Sequence, residues 1–127
     1  MNPASPEIRK TILVVDGPAL VRQLVVNVLA WGGGYNILMA DSGSQALQQS
    51  REFKSEIHLL LTGFGISGMS GIELATAMTI DRPNLNVVIM SGLPEDTFVL
   101  DRRWRFLPKP FVASQLRALV AQLMFPG

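Results

Sequence analysis

Cysteine is absent from the 127 residues, and histidine occurs once, as His58. The first absence excludes disulfide frameworks, thiolate nucleophiles and cysteine metal sites. A lone histidine supports neither a catalytic triad nor a metal cluster by itself, and His58 reads as a strand-edge residue. No apolar run approaches the ~20 residues of a membrane span. Residues 1–6 lack the basic-then-apolar order of a signal peptide and read as a loose leader, with 1–9 outside the folded part. An excess of one charge sign is also missing: 11 Lys and Arg stand against 10 Asp and Glu, a net charge of +1. That balance gives no argument for nucleic acid or an anionic membrane as a partner. The lack of cysteine is compatible with the cytoplasm, where the chain is expected to work.

What is present is an ordinary globular complement, 48% hydrophobic, over a length that suggests one domain, expected across residues 10–125. Residues 11–15 form a continuous apolar, β-branched run, which suits a strand buried on both faces. Val21, Leu24, Val25, Val28 and Leu29 follow at helical spacing, and Gly32, Gly33 and Gly34 should stop that helix. Residues 35–40 read as a second strand. Ser42 and Gln45 have capping-box spacing at the start of a second helix. Residues 57–62 make a third buried strand, followed by a glycine-rich loop over 63–68. Ser70 and Glu73 form another capping box before Ile72, Leu74, Ala75 and Met78. A fourth strand spans 87–90, and a short fifth candidate spans 105–107. Residues 94–103 show a weak helical pattern at best. Val112, Leu116, Leu119, Val120 and Leu123 give a closing helical stripe.

Buried strands alternating with amphipathic helices imply parallel strands with right-handed crossovers, hence a three-layer α/β sandwich on a five-stranded parallel sheet. In such folds the binding crevice lies beyond the carboxyl ends of the strands. Asp16, Gly63 and Ser91 stand at those ends.

Four strings resemble the receiver domains of response regulators, in order and in spacing: Ile12 to Asp16, Gly68 to Leu74, Val87 to Gly92, and Phe106 to Phe111. The wording Ser91 to Glu95 is also similar to receivers attached to sensor kinases. The resemblance implies a flavodoxin-like fold, a signalling role in a bacterial two-component phosphorelay rather than an enzyme's, and protein partners. Those are a sensor histidine kinase, a phosphotransfer domain or an effector, with a homodimer as a further possibility. The family moves a phosphoryl group from phosphohistidine to an aspartate at the end of the third strand. An acidic pair holds magnesium, and a hydroxyl and a lysine complete the site, because the transferring group is anionic.

Carried over position by position, the match has gaps. Asp16 retains the first acid of the pair, Ser91 the hydroxyl and Lys109 the amine. Gly17 replaces the second acid, Pro18 a neighbouring position that is often acidic, and Ser67 a usual proline. The acceptor position falls on Gly63, which has no side chain to phosphorylate. Phe106 takes the position of the switch aromatic. The resulting expectation is a pseudo-receiver with a degenerate pocket of Asp16, Gly17, Gly63, Ser91 and Lys109. It has no cofactor, magnesium binding is lost or very weak, and it works through protein–protein contact. Lys109 should lie within ion-pair reach of Asp16, and carboxylates restored at 63 and 17 should rebuild a metal site.

Plainer readings stand beside these. Asp16 serves as a loop cap or as the partner of Lys109, Ser91 as a turn residue, and Phe106 as core. Arg102, Arg103, Trp104 and Arg105 form either a solvated face or a partner surface. Two other functions compete: a receiver that accepts phosphate on Asp16 or Thr62, and a nucleotide-binding domain. Gly63, Gly65 and Gly68 fit G-x-G-x-x-G after a strand, but the fingerprint needs its last glycine inside the helix, and here Ser70 caps the helix after it.

Overall fold

The computed structural model describes residues 9–31 and 34–126. The expected leader, apart from Arg9, and the helix-stopping Gly32 and Gly33 lie outside the described residues. The elements are β1 Lys10–Val15, α1 Ala19–Ala30, β2 Tyr35–Ala40, α2 Gly43–Glu52, β3 Leu59–Gly63, α3 Gly71–Asp81, β4 Asn86–Ser91, β5 Arg105–Pro108 and α4 Ala113–Met124. The strands form one parallel sheet in the order β2-β1-β3-β4-β5. This is the three-layer sandwich that the alternation of elements predicts, in the flavodoxin-like form that the resemblance implies.

Burial follows from position in the sheet. Every residue of β3 is buried, because it is the central strand and both its faces are covered. Ile12, Val14, Leu59 and Leu61 face one layer, where they meet Val25 and Leu29 of α1 and Leu116, Val120 and Met124 of α4. Leu13, Val15 and Leu60 face the other, against Ala46 of α2 and Leu74, Ala75 and Met78 of α3. Each fully buried Leu or Ile contributes ~1.5–3 kcal/mol of transfer free energy, so the two layers account for most of the drive to fold.

Local signals at the helix ends are met to different degrees. Ser70 and Glu73 close a complete box: Ser70 Oγ accepts from Glu73 N–H at 3.0 Å, and Glu73 Oε1 accepts from Ser70 N–H at 2.8 Å. The Ser42 box is only half made. Ser42 Oγ accepts from Gln45 N–H at 3.2 Å, but the Gln45 side chain reaches one residue further, to Asp41 N–H at 2.6 Å. The α1 stripe also departs from expectation at Leu24, which is 53% exposed. It lies outside the buried core cluster and lines a surface hollow with Val21 and Phe111.

The crossover from β4 to β5 holds only a 3-10 turn at Glu95–Thr97 and no α-helix. Pro94 starts it, and Thr97, Phe98 and Val99 are poor helix formers. From Phe98 the chain is extended (φ −114°, ψ 151°), and Phe98 and Leu100 turn inward while Val99 is 95% exposed. Phe98 lies 4.5 Å from the Phe64 ring and 5.9 Å from that of Phe106. No helix among the described residues is long and apolar enough to cross a membrane.

Candidate functional site

Parallel strands bring their carboxyl ends to one edge, and the crevice there is built from four chain segments. Asp16 follows β1, Gly63 ends β3, Ser91 ends β4, and Lys109 follows β5 directly and precedes Pro110 through a cis peptide. Asp16 is only 2% exposed. Its Oδ2 accepts from Lys109 Nζ at 2.8 Å, the ion pair expected from the sequence, and its Oδ1 accepts from Gly17 N–H at 2.9 Å.

The placement of that carboxyl group accounts for the glycine opposite it. A Cβ built on Gly63 would lie 2.9 Å from Asp16 Oδ1, 3.0 Å from Cγ and 3.1 Å from Oδ2. Asp16 therefore fills the space that a side chain at 63 would need. Gly17, by contrast, has nothing within 4 Å of an added Cβ. One oxygen of Asp16 faces Lys109 and the other a backbone N–H. Gly17 and Gly63 offer no side-chain oxygen, and among the described residues no three acidic or histidine side chains group as metal ligands. Magnesium favours one or two carboxylates among water and phosphate oxygens, and this donor set does not fit it.

The neighbouring residues have defined duties. Ser91 Oγ accepts from Leu93 N–H at 3.0 Å, as a turn residue does, and Ser91 O accepts from Lys109 N–H at 2.8 Å. Thr62 is fully buried, and its hydroxyl donates to Gly63 O at 2.9 Å. Phe106 is half-buried and packs against the α2–α3 layer. Arg22 is a residue that the sequence did not single out. Its Nη1 donates to Asp16 O at 2.8 Å and Gly17 O at 3.0 Å, fixing the loop in which Asp16 sits.

The glycine loop after β3 is shaped for packing. Gly68 has φ +87°, a turn conformation, and precedes the helix cap. The close approach is made at Gly71, where a Cβ would come within 2.2 Å of Gly63 O. Gly71 lies outside the G-x-G-x-x-G string, so the tight contact comes from the wrong glycine for a dinucleotide fingerprint.

Away from the crevice, His58 bridges β1 and the start of β3. Its N–H donates to Thr11 O at 2.8 Å, and its Nδ1 accepts from Thr11 N–H at 3.0 Å. Asp101 takes two side-chain bonds from Arg103, each 3.0 Å, and the backbone N–H of Arg103 at 2.9 Å. The side-chain bond from Arg103 is the main cause that lowers the Asp101 pKa to about 2. Within the predicted basic cluster, Trp104 is partly buried and Arg102, Arg103 and Arg105 are exposed.

A flavodoxin-like sheet with an acid after the first strand, a hydroxyl ending the fourth and a lysine after the fifth defines a class of signalling domains. The model of the response regulator receiver domain matches residues 12–121, and the chain belongs to that family. It is 30% identical over 118 residues to the response regulator receiver protein CpdR of Brucella abortus, covering 90% of this chain and 93% of that protein. It is equally 30% identical over 118 residues to the sensor kinase CckA of the same organism, but spans only 12% of that kinase's length. Against the response regulator GacA of Pseudomonas syringae it spans 40%. Among solved structures, the receiver domain of the hybrid histidine kinase CckA superposes with a TM-score of 0.79 at 27% identity, covering 90% of this chain and 98% of that one. A receiver protein from Sinorhizobium medicae superposes at 0.84 with 23% identity, covering 93% and 96%, which bears on the fold alone. Receiver domains are signalling modules of two-component systems that interact with kinases and effectors.

Proposed function

We propose that this receiver domain takes part in two-component signalling without a phosphoaspartate, through protein–protein contact in the cytoplasm. The observation that carries the reading is the carboxyl group of Asp16 lying where a side chain at 63 would be, held there by Lys109. An acceptor is missing, and the lysine that would neutralise an incoming phosphoryl group is already paired. Loss of magnesium binding follows from the same donor set.

The atypical acceptors are poorly supported. Asp16 would have to leave Lys109 and come out of a site where it is 2% exposed. Thr62 is fully buried, and among the described residues no base is hydrogen-bonded to its hydroxyl. A role through contact is supported by α1, whose outer side presents Leu20 at 87% exposure, Leu24, and Trp31 at 75% just beyond its end. Beside them an apolar hollow of about 350 Å³ is lined by Val21, Leu24, Pro110 and Phe111 with Lys109. Exposed apolar surface of this kind marks interaction sites. The likeness to part of the sensor kinase CckA supports a partner within a phosphorelay: a kinase, a phosphotransfer domain or an effector.

Incubation with acetyl phosphate and magnesium, followed by intact-mass measurement, tests the reading. The expected spectrum is unchanged. A stoichiometric gain of one phosphoryl group would overturn it.

A further inference from the structure

The β4–β5 crossover leaves a second hollow that the proposed function does not use. Three crossovers of the sheet carry α-helices of 10–12 residues, and this one carries a three-residue 3-10 turn. Where a helix would lie there is a cavity of about 510 Å³. Phe98, Leu100 and Trp104 line it, and all three pack on their other sides against the rest of the domain. Glu95, Asp96, Asp101 and Arg102 supply the charge around it.

The charges are not equivalent. Asp101 is held by Arg103 in a two-bond ion pair and is neutralised within the chain. Glu95 and Asp96 are exposed and have no ion-pair partner among the described residues. Arg102 offsets one of them, so the lining keeps an excess of one negative charge over an aromatic and aliphatic wall. Aromatic rings with carboxylates nearby attract a guanidinium or alkylammonium group, by cation–π attraction and charge-assisted hydrogen bonds. A cavity of this volume also lies in the range of small-ligand sites, with room for an adjoining apolar side chain.

We propose that this cavity is a docking site for a short basic segment of a partner protein: an arginine or lysine side chain that enters toward Glu95 and Asp96, beside an apolar residue that packs on Phe98, Leu100 and Trp104. The site is separate from the carboxyl-edge crevice and does not depend on whether that crevice is phosphorylated.

The test is a heteronuclear NMR titration of the whole chain with N-acetyl-leucyl-arginine amide. The controls are its citrulline counterpart, which keeps the shape and loses the charge, and its glutamate counterpart. The arginine peptide should give saturable shifts in residues 95–104 and in the Trp104 indole. Citrulline should bind about fivefold more weakly, on the scale of one exposed charge contact, and glutamate more weakly still. Glu95→Gln combined with Asp96→Asn should remove the preference for arginine over citrulline; both residues are exposed, so the variant is expected to fold. Trp104→Ala should remove binding of both peptides, and if that variant unfolds, the double variant still decides the matter. The proposal is overturned by an absence of saturable shifts, by shifts centred elsewhere, by equal binding of arginine and citrulline, or by a preference that survives in the double variant.

Discussion

Lys109 and Asp16 make an ion pair in which the carboxylate is buried. Among the described residues, Lys109 is the side chain that donates to Asp16 Oδ2. Lys109→Met keeps the apolar stem and removes the charge, and should cost about 1–3 kcal/mol, the penalty for leaving a buried polar group unpaired. Denaturant unfolding of the two proteins gives that number directly; no measurable change would mean that the pair is merely adjacent. The same geometry revises the idea of repair. An Asp at 17 has open space, but an Asp at 63 would have to push Asp16 off Lys109 first. The glycine at 63 was plain in the sequence. The sequence did not show how close the Asp16 carboxyl group lies to that glycine, since that depends on the packing of two strands. Asp101 is a residue-scale case with an electrostatic reading. Arg103 holds its folded pKa near 2, below the ~3.9 of an unfolded aspartate. Its contribution is thus complete above about pH 4 and disappears as the pH falls through about 2. Carboxyl-carbon NMR should show that low titration point, and Arg103→Gln should return it to the ordinary range.

At the scale of elements, the fit between α3 and β3 rests on one position. Gly71 opens α3 with its Cα against the carbonyl of Gly63, and its N–H donates to Phe64 O at 2.7 Å. A methyl group there would fall 2.2 Å from a backbone oxygen that has no rotamer to escape into. Gly71→Ala should therefore destabilise by about 2–3 kcal/mol or more, the range of overpacking against rigid surroundings. Thermal unfolding should register a clear drop; a change within the noise would show that the helix start can slide. Strands and helices with strong periodicity were legible from the sequence to within a residue or two, and so was the complete Ser70–Glu73 box. The half-made Ser42 box was not, because its glutamine has two N–H groups within reach and the string cannot rank them. Arg82 was equally silent. It reaches Ser50 Oγ and the carbonyls of Ser50, Phe53 and Ser55, closing the end of α2 from a distance of about thirty positions.

For the whole molecule, the order of buried strands was enough to predict the sheet, and four strings of residues were enough to predict the family. The sequence was weakest where the chain departs from the regular pattern: at 94–103 it suggested at best a faint helix, and a cavity stands there instead. The Asp16–Lys109 bond has one more property. It joins positions 93 apart in a chain of 127 residues, the first strand's end to the last strand's loop. A contact that needs the edge strand β5 to be in place as well as β1 should close late, after the nucleus of local and central pairings has formed. It then belongs to the barrier to opening more than to the barrier to folding. Lys109→Met should accordingly shift the unfolding limb of a chevron plot upward and leave the folding limb nearly where it was. On that view the ion pair left in the crevice acts as a kinetic latch, setting how long a folded molecule lasts rather than how fast one is made.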